Sequence, residues 1–158
     1  MKLFKRKKEK HFKAFTSGKV IPLKDVHDEM FSVGLMGPGI AIDSVDGKFY
    51  SPVDGEVTML FPTLHALGIK TEDGEELLLH VGIDTVNLKG EGFQAHIKNG
   101  QKIATGDLLL EADLNLLKAK GYPTEAILCI TEPKEIHLTF TMLKDVFAKR
   151  DILVSIQK

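Results

Sequence analysis

Two of the six histidines, His65 and His80, lie in the two strands of a predicted β-hairpin, on either side of its turn. Residues 64–70 and 77–83 are short runs rich in apolar residues, which predict strands. Residues 72–75, Glu-Asp-Gly-Glu, have the composition of the turn that joins such strands. The geometry of this turn therefore decides whether the two imidazoles meet.

The length of the turn sets the register of the hairpin. A two-residue turn at Glu72-Asp73 places His65 directly opposite His80. A two-residue turn at Asp73-Gly74, or a four-residue turn at 72–75, places His65 diagonal to His80 on the same face. In both registers the Cβ atoms are roughly 5–7 Å apart. Only a three-residue turn would send the side chains to opposite faces, so we expect the histidines to be adjacent.

Two adjacent imidazoles admit three interpretations. They can hold a metal, although zinc takes three or four ligands and no third histidine or cysteine is near in sequence; Asp84 is the candidate carboxylate. They can serve phosphoryl transfer, because a neutral imidazole is nucleophilic near pH 7 and its neighbour can donate a hydrogen bond to phosphoryl oxygens. They can also be a packed pair without chemistry.

The remaining histidines and the single cysteine have structural interpretations. His11, His27, His96 and His137 each stand alone in basic, turn or strand segments, where a histidine is usually packed or solvated. Cys129 lies in an apolar run and is expected to be inert core. One cysteine excludes a disulfide framework or a zinc ribbon built on cysteines.

Length and composition limit the class of protein. A chain of 158 residues that is 43% hydrophobic and 27% charged fits one globular domain. The formal net charge of −1 does not point to nucleic-acid binding, and no apolar run approaches the roughly 18 residues of a membrane-spanning helix. Basic residues at the start are followed by no apolar core, so we expect no secretory signal and a cytoplasmic location.

The pattern of turns predicts an all-β fold. Gly-containing turn signals recur between short apolar runs, which is typical of an antiparallel β-sandwich or barrel. Residues 114–120 and 24–30 could each form one or two helical turns. Residues 17–20 and 53–57 resemble each other weakly, which would fit a duplicated β motif.

Charge is distributed unevenly along the chain. Residues 1–13 carry seven basic side chains and one acid, leaving a net charge of −7 on the remainder. We therefore divide the chain into an N-terminal arm, residues 1–15, and a domain, residues 16–158. The apolar residues of the arm fall on one side of a helix: Leu3, Phe4, Phe12 and Phe15. The arm is either a membrane-surface segment or a solvated, disordered tail.

Three runs of sequence carry a family resemblance. They are 61–66 (Phe-Pro-Thr-Leu-His-Ala), 79–86 (Leu-His-Val-Gly-Ile-Asp-Thr-Val) and 88–93 (Leu-Lys-Gly-Glu-Gly-Phe). Together they resemble the glucose-family enzyme IIA of the bacterial phosphoenolpyruvate-dependent sugar phosphotransferase system. The resemblance extends over about residues 16–155. It implies an antiparallel β-sandwich with a duplicated hybrid motif.

The resemblance also implies roles for individual residues. His80 is similar to the phosphoryl acceptor, which uses Nε2, and His65 to the histidine that stabilises the phosphoryl group. Thr63 is similar to the residue whose hydroxyl orients His65. The backbone near Gly82 would accept the other ring proton of His80, and the small residue would leave room for a partner. The implied partner-binding residues are Asp84, Val86, Phe61, Ile40, Leu78 and Gly82.

The resemblance implies a phosphocarrier, and because no membrane or IIB domain follows in the sequence we expect it to be a stand-alone one. It would take a phosphoryl group from phosphorylated HPr and pass it to a cysteine of a sugar-permease IIB domain, with no cofactor required. The alternative is a regulatory binding protein switched by phosphorylation of His80, in which His65 and His80 share a zinc ion with a partner. Membrane contact through the arm would keep the protein beside its permease.

Three other classes are disfavoured by the residues. A biotin or lipoyl carrier needs a lysine at a hairpin tip, where this chain has Glu75. A zinc hydrolase would need a third ligand and a general base, and no H-E-x-x-H pattern is present. Residues 90–95 match a G-x-G-x-x-A dinucleotide pattern, but no βαβ unit surrounds them.

Overall fold

The computed structural model describes residues 9–133 and 136–157, which form fourteen strands and two short α-helices. The strands are β1 (Glu9–Lys13), β2 (Gly18–Pro22), β3 (Gly39–Ser44), β4 (Lys48–Tyr50), β5 (Gly55–Leu60), β6 (Ala66–Thr71), β7 (Glu76–Val81), β8 (Phe93–Ala95), β9 (Lys102–Ile103), β10 (Leu108–Ala112), β11 (Glu125–Ile130), β12 (His137–Phe140), β13 (Asp145–Val146) and β14 (Ile152–Gln157). The helices are α1 (Glu29–Ser32) and α2 (Leu114–Ala119), and Leu23–Asp25 and Thr85–Leu88 are 3₁₀ turns.

All strand pairs described are antiparallel, and they form three sheets. The largest sheet has the order β13-β2-β3-β11-β7-β6-β5-β9, and the two smaller ones are β1-β14-β12 and β4-β10-β8. The predicted all-β, antiparallel class with very short helices is therefore confirmed. No helix among the described residues is long and apolar enough to span a bilayer.

The two faces of β7 lie against different apolar clusters. Leu77, Leu79 and Val81 are buried in the main core, whereas the alternate residues are only half-buried. His80 is one of these alternate residues, and it pairs with Ile127 of β11. Ile127 belongs to a smaller cluster on the other face of the sheet. Strand alternation thus keeps His80 out of the main core.

The hairpin of β6 and β7 has a different register from those predicted. Ala66, not His65 or Leu67, lies opposite His80. The backbone N–H of Thr71 donates to the carbonyl of Glu75 at 2.9 Å, which leaves a three-residue loop, 72–74. Gly74 closes the loop with φ +97°, a left-handed conformation that glycine adopts at little cost. Both predicted registers are wrong, because Glu72, Asp73 and Gly74 form a three-residue loop, which shifts the pairing by one residue.

The N-terminal arm is shorter than predicted. Residues 9–13 form β1, which pairs with β14, and Phe12 and Phe15 are 0% exposed in the main core. The boundary at residue 15 is therefore wrong, and these two phenylalanines do not face a membrane, because they fill the interior of the sandwich. The rest of the arm, including Leu3 and Phe4, lies outside the described residues.

The short helices lie close to their predicted positions. Asp113 caps α2 by accepting a hydrogen bond from the Leu116 N–H at 3.1 Å, which explains why a helix begins there. The predicted turn at 24–30 is split into a 3₁₀ turn and α1, whose first turn is capped by Asp28. The segment between β2 and β3 therefore crosses one face of the largest sheet without forming a long helix.

Candidate active site

The structure brings His65 and His80 into contact. Their ring centroids are 4.9 Å apart and their planes meet at 86°. The predicted adjacency is confirmed, although the predicted register is not.

A break in the strand explains how adjacency survives the register. In a regular hairpin with Ala66 opposite His80, the next residue along, His65, would point to the other face. However, β6 begins only at Ala66, and Leu64 has φ +60°, a left-handed conformation that is uncommon outside glycine. The alternation of side chains along β6 therefore does not extend to His65. The backbone of His65 is still bonded to β7, because its carbonyl accepts the Val81 N–H at 2.8 Å.

Thr63 is placed to fix the orientation of the His65 ring. Its Oγ1 lies 2.7 Å from Nδ1 of His65, within hydrogen-bond distance. His65 is only 3% exposed, and the ring of Phe61 packs edge-on against it with centroids 5.6 Å apart. The bond to Nδ1 leaves Nε2 as the nitrogen that is free to act.

His80 has the same division between its two nitrogens. Nδ1 is buried and makes no hydrogen bond of full geometry, but the backbone of Gly82 lies close enough to raise the pKa of the ring. Nε2 of His80 is not enclosed in the same way. In each ring, therefore, Nδ1 is occupied or buried and Nε2 is the nitrogen that remains available.

Burial keeps both rings neutral. Desolvation lowers the pKa of His65 below 6.5, and desolvation together with the nearby His65 lowers the pKa of His80 to about 4. The backbone of Gly82 and the charge of Asp28 oppose this effect without reversing it. At pH 7 His80 is therefore an unprotonated imidazole with a free electron pair, the form that a nucleophile requires.

Two residues of the site were missed by sequence reasoning, Phe31 and Asp28. The Phe31 ring lies 5.0 Å from the His80 ring, and Asp28 is the carboxylate that influences the pKa of His80. Asp84, the predicted acidic residue, is exposed and is not among the groups that act on His80. The one available signal was the pattern of an N-cap Asp28 followed by an apolar pair, which predicts a capped, amphipathic turn.

The predicted partner-binding residues divide into exposed and buried groups. Val86 is 48% exposed, Asp84 is also exposed, and Phe61 and Leu78 are half-buried. Ile40, however, is only 3% exposed and belongs to the main core, so its assignment to the rim is wrong. It faces inward because it pairs with Leu128 in the centre of the largest sheet.

Gly82 is also not a surface residue. It has φ +78°, and a Cβ there would lie 2.4 Å from Cγ2 of Thr85. The space beside Gly82 is therefore occupied by the chain itself, not left for a partner as predicted. The glycine is required because the chain turns tightly after β7 and packs onto Thr85.

The described residues contain no group of three or more histidine, cysteine or acidic side chains placed to hold a metal ion. His65 and His80 could offer two nitrogen ligands, fewer than zinc takes in structural or catalytic sites. Any zinc shared at these histidines would need further ligands from a partner.

An antiparallel β-fold that presents a pair of neutral, adjacent histidines defines a class of protein suited to covalent transfer at an imidazole nitrogen. Comparison of sequences identifies the family. Residues 10–136 match the family described as phosphoenolpyruvate-dependent sugar phosphotransferase system, EIIA 1. The chain belongs to this family.

Relatives with high sequence identity carry related descriptions. The chain is 44% identical over 142 residues to a beta-glucoside-specific EIIBCA component of the PTS system from Halalkalibacterium halodurans, covering 90% of this chain and 22% of that protein. It is 48% identical over 115 residues to a glucose-specific EIIA component from the same organism, covering 73% of this chain and 66% of that protein. The chain thus spans between 22% and 66% of the length of these two relatives.

A solved structure has the same fold. Glucose permease IIA from Mycoplasma capricolum superposes with a TM-score of 0.86 at 32% sequence identity, covering 97% of this chain and 99% of that one. The strand arrangement described above is therefore that of an enzyme IIA domain.

Proposed function

We propose that the chain is a phosphocarrier that accepts a phosphoryl group on Nε2 of His80 from phosphorylated HPr and passes it to a IIB domain of a sugar permease. The observation that carries this proposal is the division of roles within the two rings. Nδ1 of His80 is enclosed beside Gly82 and Nδ1 of His65 is bonded to Thr63, so both Nε2 atoms remain available. Membership of the EIIA family supports the same chemistry.

The transfer from HPr balances without a base. The Nε2 electron pair of His80 attacks the phosphorus of phosphohistidine, the N–P bond on HPr breaks, and the HPr imidazole leaves neutral. The proton on Nδ1 of His80 stays in place, facing the backbone of Gly82. The low pKa of His80, about 4, ensures that Nε2 is unprotonated at the start. Most of the rate then comes from holding the two rings and the phosphorus in line.

His65 supplies the hydrogen bond that the phosphoryl oxygens need. When the Thr63 hydroxyl donates to Nδ1, the proton of the His65 ring resides on Nε2, which becomes a donor. The rings are at right angles and 4.9 Å apart, so this donor is beside the reacting nitrogen. In the second step a cysteine thiolate of IIB attacks the phosphorus, and His80 leaves as a neutral imidazole.

Exposed apolar residues next to the site suit protein partners. Met30, Val33 and Leu35 are 53%, 67% and 69% exposed, and they lie in the segment that places Phe31 against His80. Val86 is 48% exposed and lies in the 3₁₀ turn that follows Gly82. An apolar rim around a few polar atoms allows two different partners to dock in turn and limits the access of water to the phosphoramidate.

The direct test is mass spectrometry of the chain after incubation with phosphoenolpyruvate, enzyme I and HPr. We expect an acid-labile gain of one phosphoryl group, mapped to His80 and absent from His80→Gln. A His137→Gln variant is the control, because this exposed histidine lies on β12, in a different sheet. Labelling of His80→Gln to the level of the wild type would refute the assignment.

A regulatory role for the same site is the alternative, with phosphorylation of His80 as the switch. In that case the two Nε2 atoms could share a zinc ion with ligands from a target enzyme, since the described residues hold no third ligand beside them.

Membrane contact is a separate proposal, which concerns only residues 1–8. Co-sedimentation with anionic vesicles, with and without those residues, tests it; equal pelleting removes the idea.

A further inference from the structure

Glu125, the first residue of β11, has a buried carboxylate, and both of its oxygens are hydrogen-bonded to His27. Glu125 is 6% exposed, and a buried carboxylate is costly unless it is hydrogen-bonded. Its Oε2 accepts the backbone N–H of His27 at 3.2 Å, and its Oε1 is hydrogen-bonded to Nδ1 of the same residue. The His27 side chain is 72% exposed. We call this pair of hydrogen bonds the Glu125 clamp.

The clamp is the polar attachment of the segment that crosses the site. Among the described residues, the hydrogen bonds of residues 23–37 stay within that segment, except the two that His27 makes to Glu125. Helix α1 within it has four residues, far fewer than a helix needs to be stable alone. Its position therefore depends on the clamp and on the burial of Val26 and Phe31.

Asp28, the residue after His27, begins the helix that carries Phe31 to His80. Asp28 follows His27 and caps α1 by accepting the Met30 N–H at 2.8 Å. One turn later the ring of Phe31 lies 5.0 Å from the ring of His80. The aromatic ring that packs against His80 thus lies four residues after His27.

Glu125 also contacts the strand that carries the histidine. Its backbone carbonyl accepts the N–H of Gly82 at 2.9 Å, and Ile127, two residues further along β11, pairs with His80. One residue therefore joins both sides of the site: its backbone holds the turn after β7, and its side chain holds the segment that covers the ring.

We infer that Glu125 is a positioning residue for phosphoryl transfer, which through His27 holds Phe31 against His80. The effect on transfer rests on the proposed function, but the effect on geometry does not. Without the clamp, the α1 segment loses its hydrogen bonds to the sheet and Phe31 moves away from the His80 ring.

Two variants release the clamp by different routes. His27→Ala removes the Nδ1 contact and is the safer variant, because that side chain is largely exposed. Glu125→Leu removes both hydrogen bonds. Glu125→Gln should retain them, since its carbonyl can accept the His27 N–H and its amide can donate to Nδ1 in the other tautomer. His96→Ala is the matched control: it breaks a second His–Glu pair, 2.7 Å to Glu111, between β8 and β10 in another sheet.

The readout is the nuclear Overhauser effect between the ring protons of Phe31 and His80 in isotope-labelled protein, together with the rate of phosphoryl uptake from HPr. We expect His27→Ala and Glu125→Leu to weaken these cross-peaks and to slow uptake about three- to tenfold. Glu125→Gln and His96→Ala should retain both. The inference is overturned if folded His27→Ala shows unchanged cross-peaks and unchanged uptake. It is also overturned if Glu125→Gln is as impaired as Glu125→Leu.

The two proposals fail separately. If the wild-type chain takes up no phosphoryl group, the proposed function is wrong, while the cross-peaks still decide whether the clamp positions Phe31. If uptake is normal in every clamp variant and the cross-peaks persist, the phosphocarrier role stands and the clamp does not.

Discussion

The imidazole of His65 meets that of His80 at 86°, with 4.9 Å between the ring centroids. This arrangement places a hydrogen-bond donor beside the nucleophile without placing two nucleophiles in competition. The donor matters most when charge on the phosphoryl oxygens is greatest, during transfer and not before it.

Replacing His65 with Gln should therefore separate the two transfer steps. We expect uptake from HPr to be retained, because His80 still holds the nucleophile, and onward transfer to IIB to fall by about a hundredfold. Rapid-quench measurement of each half-reaction checks this. His137→Gln should leave both steps unchanged, and a His65→Gln variant with normal onward transfer would show that the neighbouring ring has no part in the reaction.

Thr63→Val tests whether the hydroxyl group controls the His65 ring. Valine has nearly the same shape but cannot bond to Nδ1, so the ring loses the contact that fixes its tautomer. We expect onward transfer to fall about tenfold, the equivalent of one hydrogen bond. Thr139→Val on β12, where the side chain is exposed, is the control. Equal rates in the two variants would argue against the Thr63 contact.

The lowered pKa of His80 predicts how stability depends on pH. The unfolded chain protonates this histidine near 6.5 and the folded chain only near 4, so the unfolded state binds more protons between these values. Stability is present in full above pH 6.5 and falls as pH is lowered toward 4. Between pH 7 and pH 5 His80 should account for a loss of about 1–2 kcal/mol.

Urea unfolding at the two pH values measures this loss, and His80→Gln supplies the comparison because glutamine does not titrate. We expect the variant to lose less stability than the wild type between pH 7 and pH 5. Identical losses in both proteins would mean that His80 is not protected from protonation by folding.

Gly82→Ala should destabilise the chain through two separate effects. Its φ of +78° costs alanine about 1–2 kcal/mol, and the new Cβ would lie 2.4 Å from Thr85, adding about 1–3 kcal/mol of overlap. Gly100→Ala isolates the first effect, since φ is +79° there and no atom lies within 4 Å of the added Cβ. Calorimetric unfolding should show the greater loss for Gly82→Ala; equal losses contradict the close packing at Thr85.

Local sequence was sufficient for the strands and for the motif. The short apolar runs 64–70 and 77–83, with turn residues between them, predict a hairpin with a histidine on each strand region. Runs 61–66 and 79–86 were specific enough to indicate the family. These features depend on neighbours in the chain, which is why they can be read without coordinates.

Register and boundaries were not predictable in the same way. The Glu-Asp-Gly triplet is compatible with turns of two, three or four residues, and only the pairing of Thr71 with Glu75 selects three. Phe12 and Phe15 fit the apolar side of a surface helix equally well as sequence, but the interior of the sandwich buries both. The choice depends on which apolar surface is available, a property of the whole fold.

The sequence by itself determined that two of the histidines, His65 and His80, flank the turn of a hairpin. Only the tertiary structure decided what surrounds them: Phe31 is 49 residues from His80 in the chain and Glu125 is 98 residues from His27, yet each pair is in contact. Contacts between such distant residues form when two faces of a sheet are covered and water is excluded. The low pKa of His80 and the clamp on its neighbouring segment both arise from that burial.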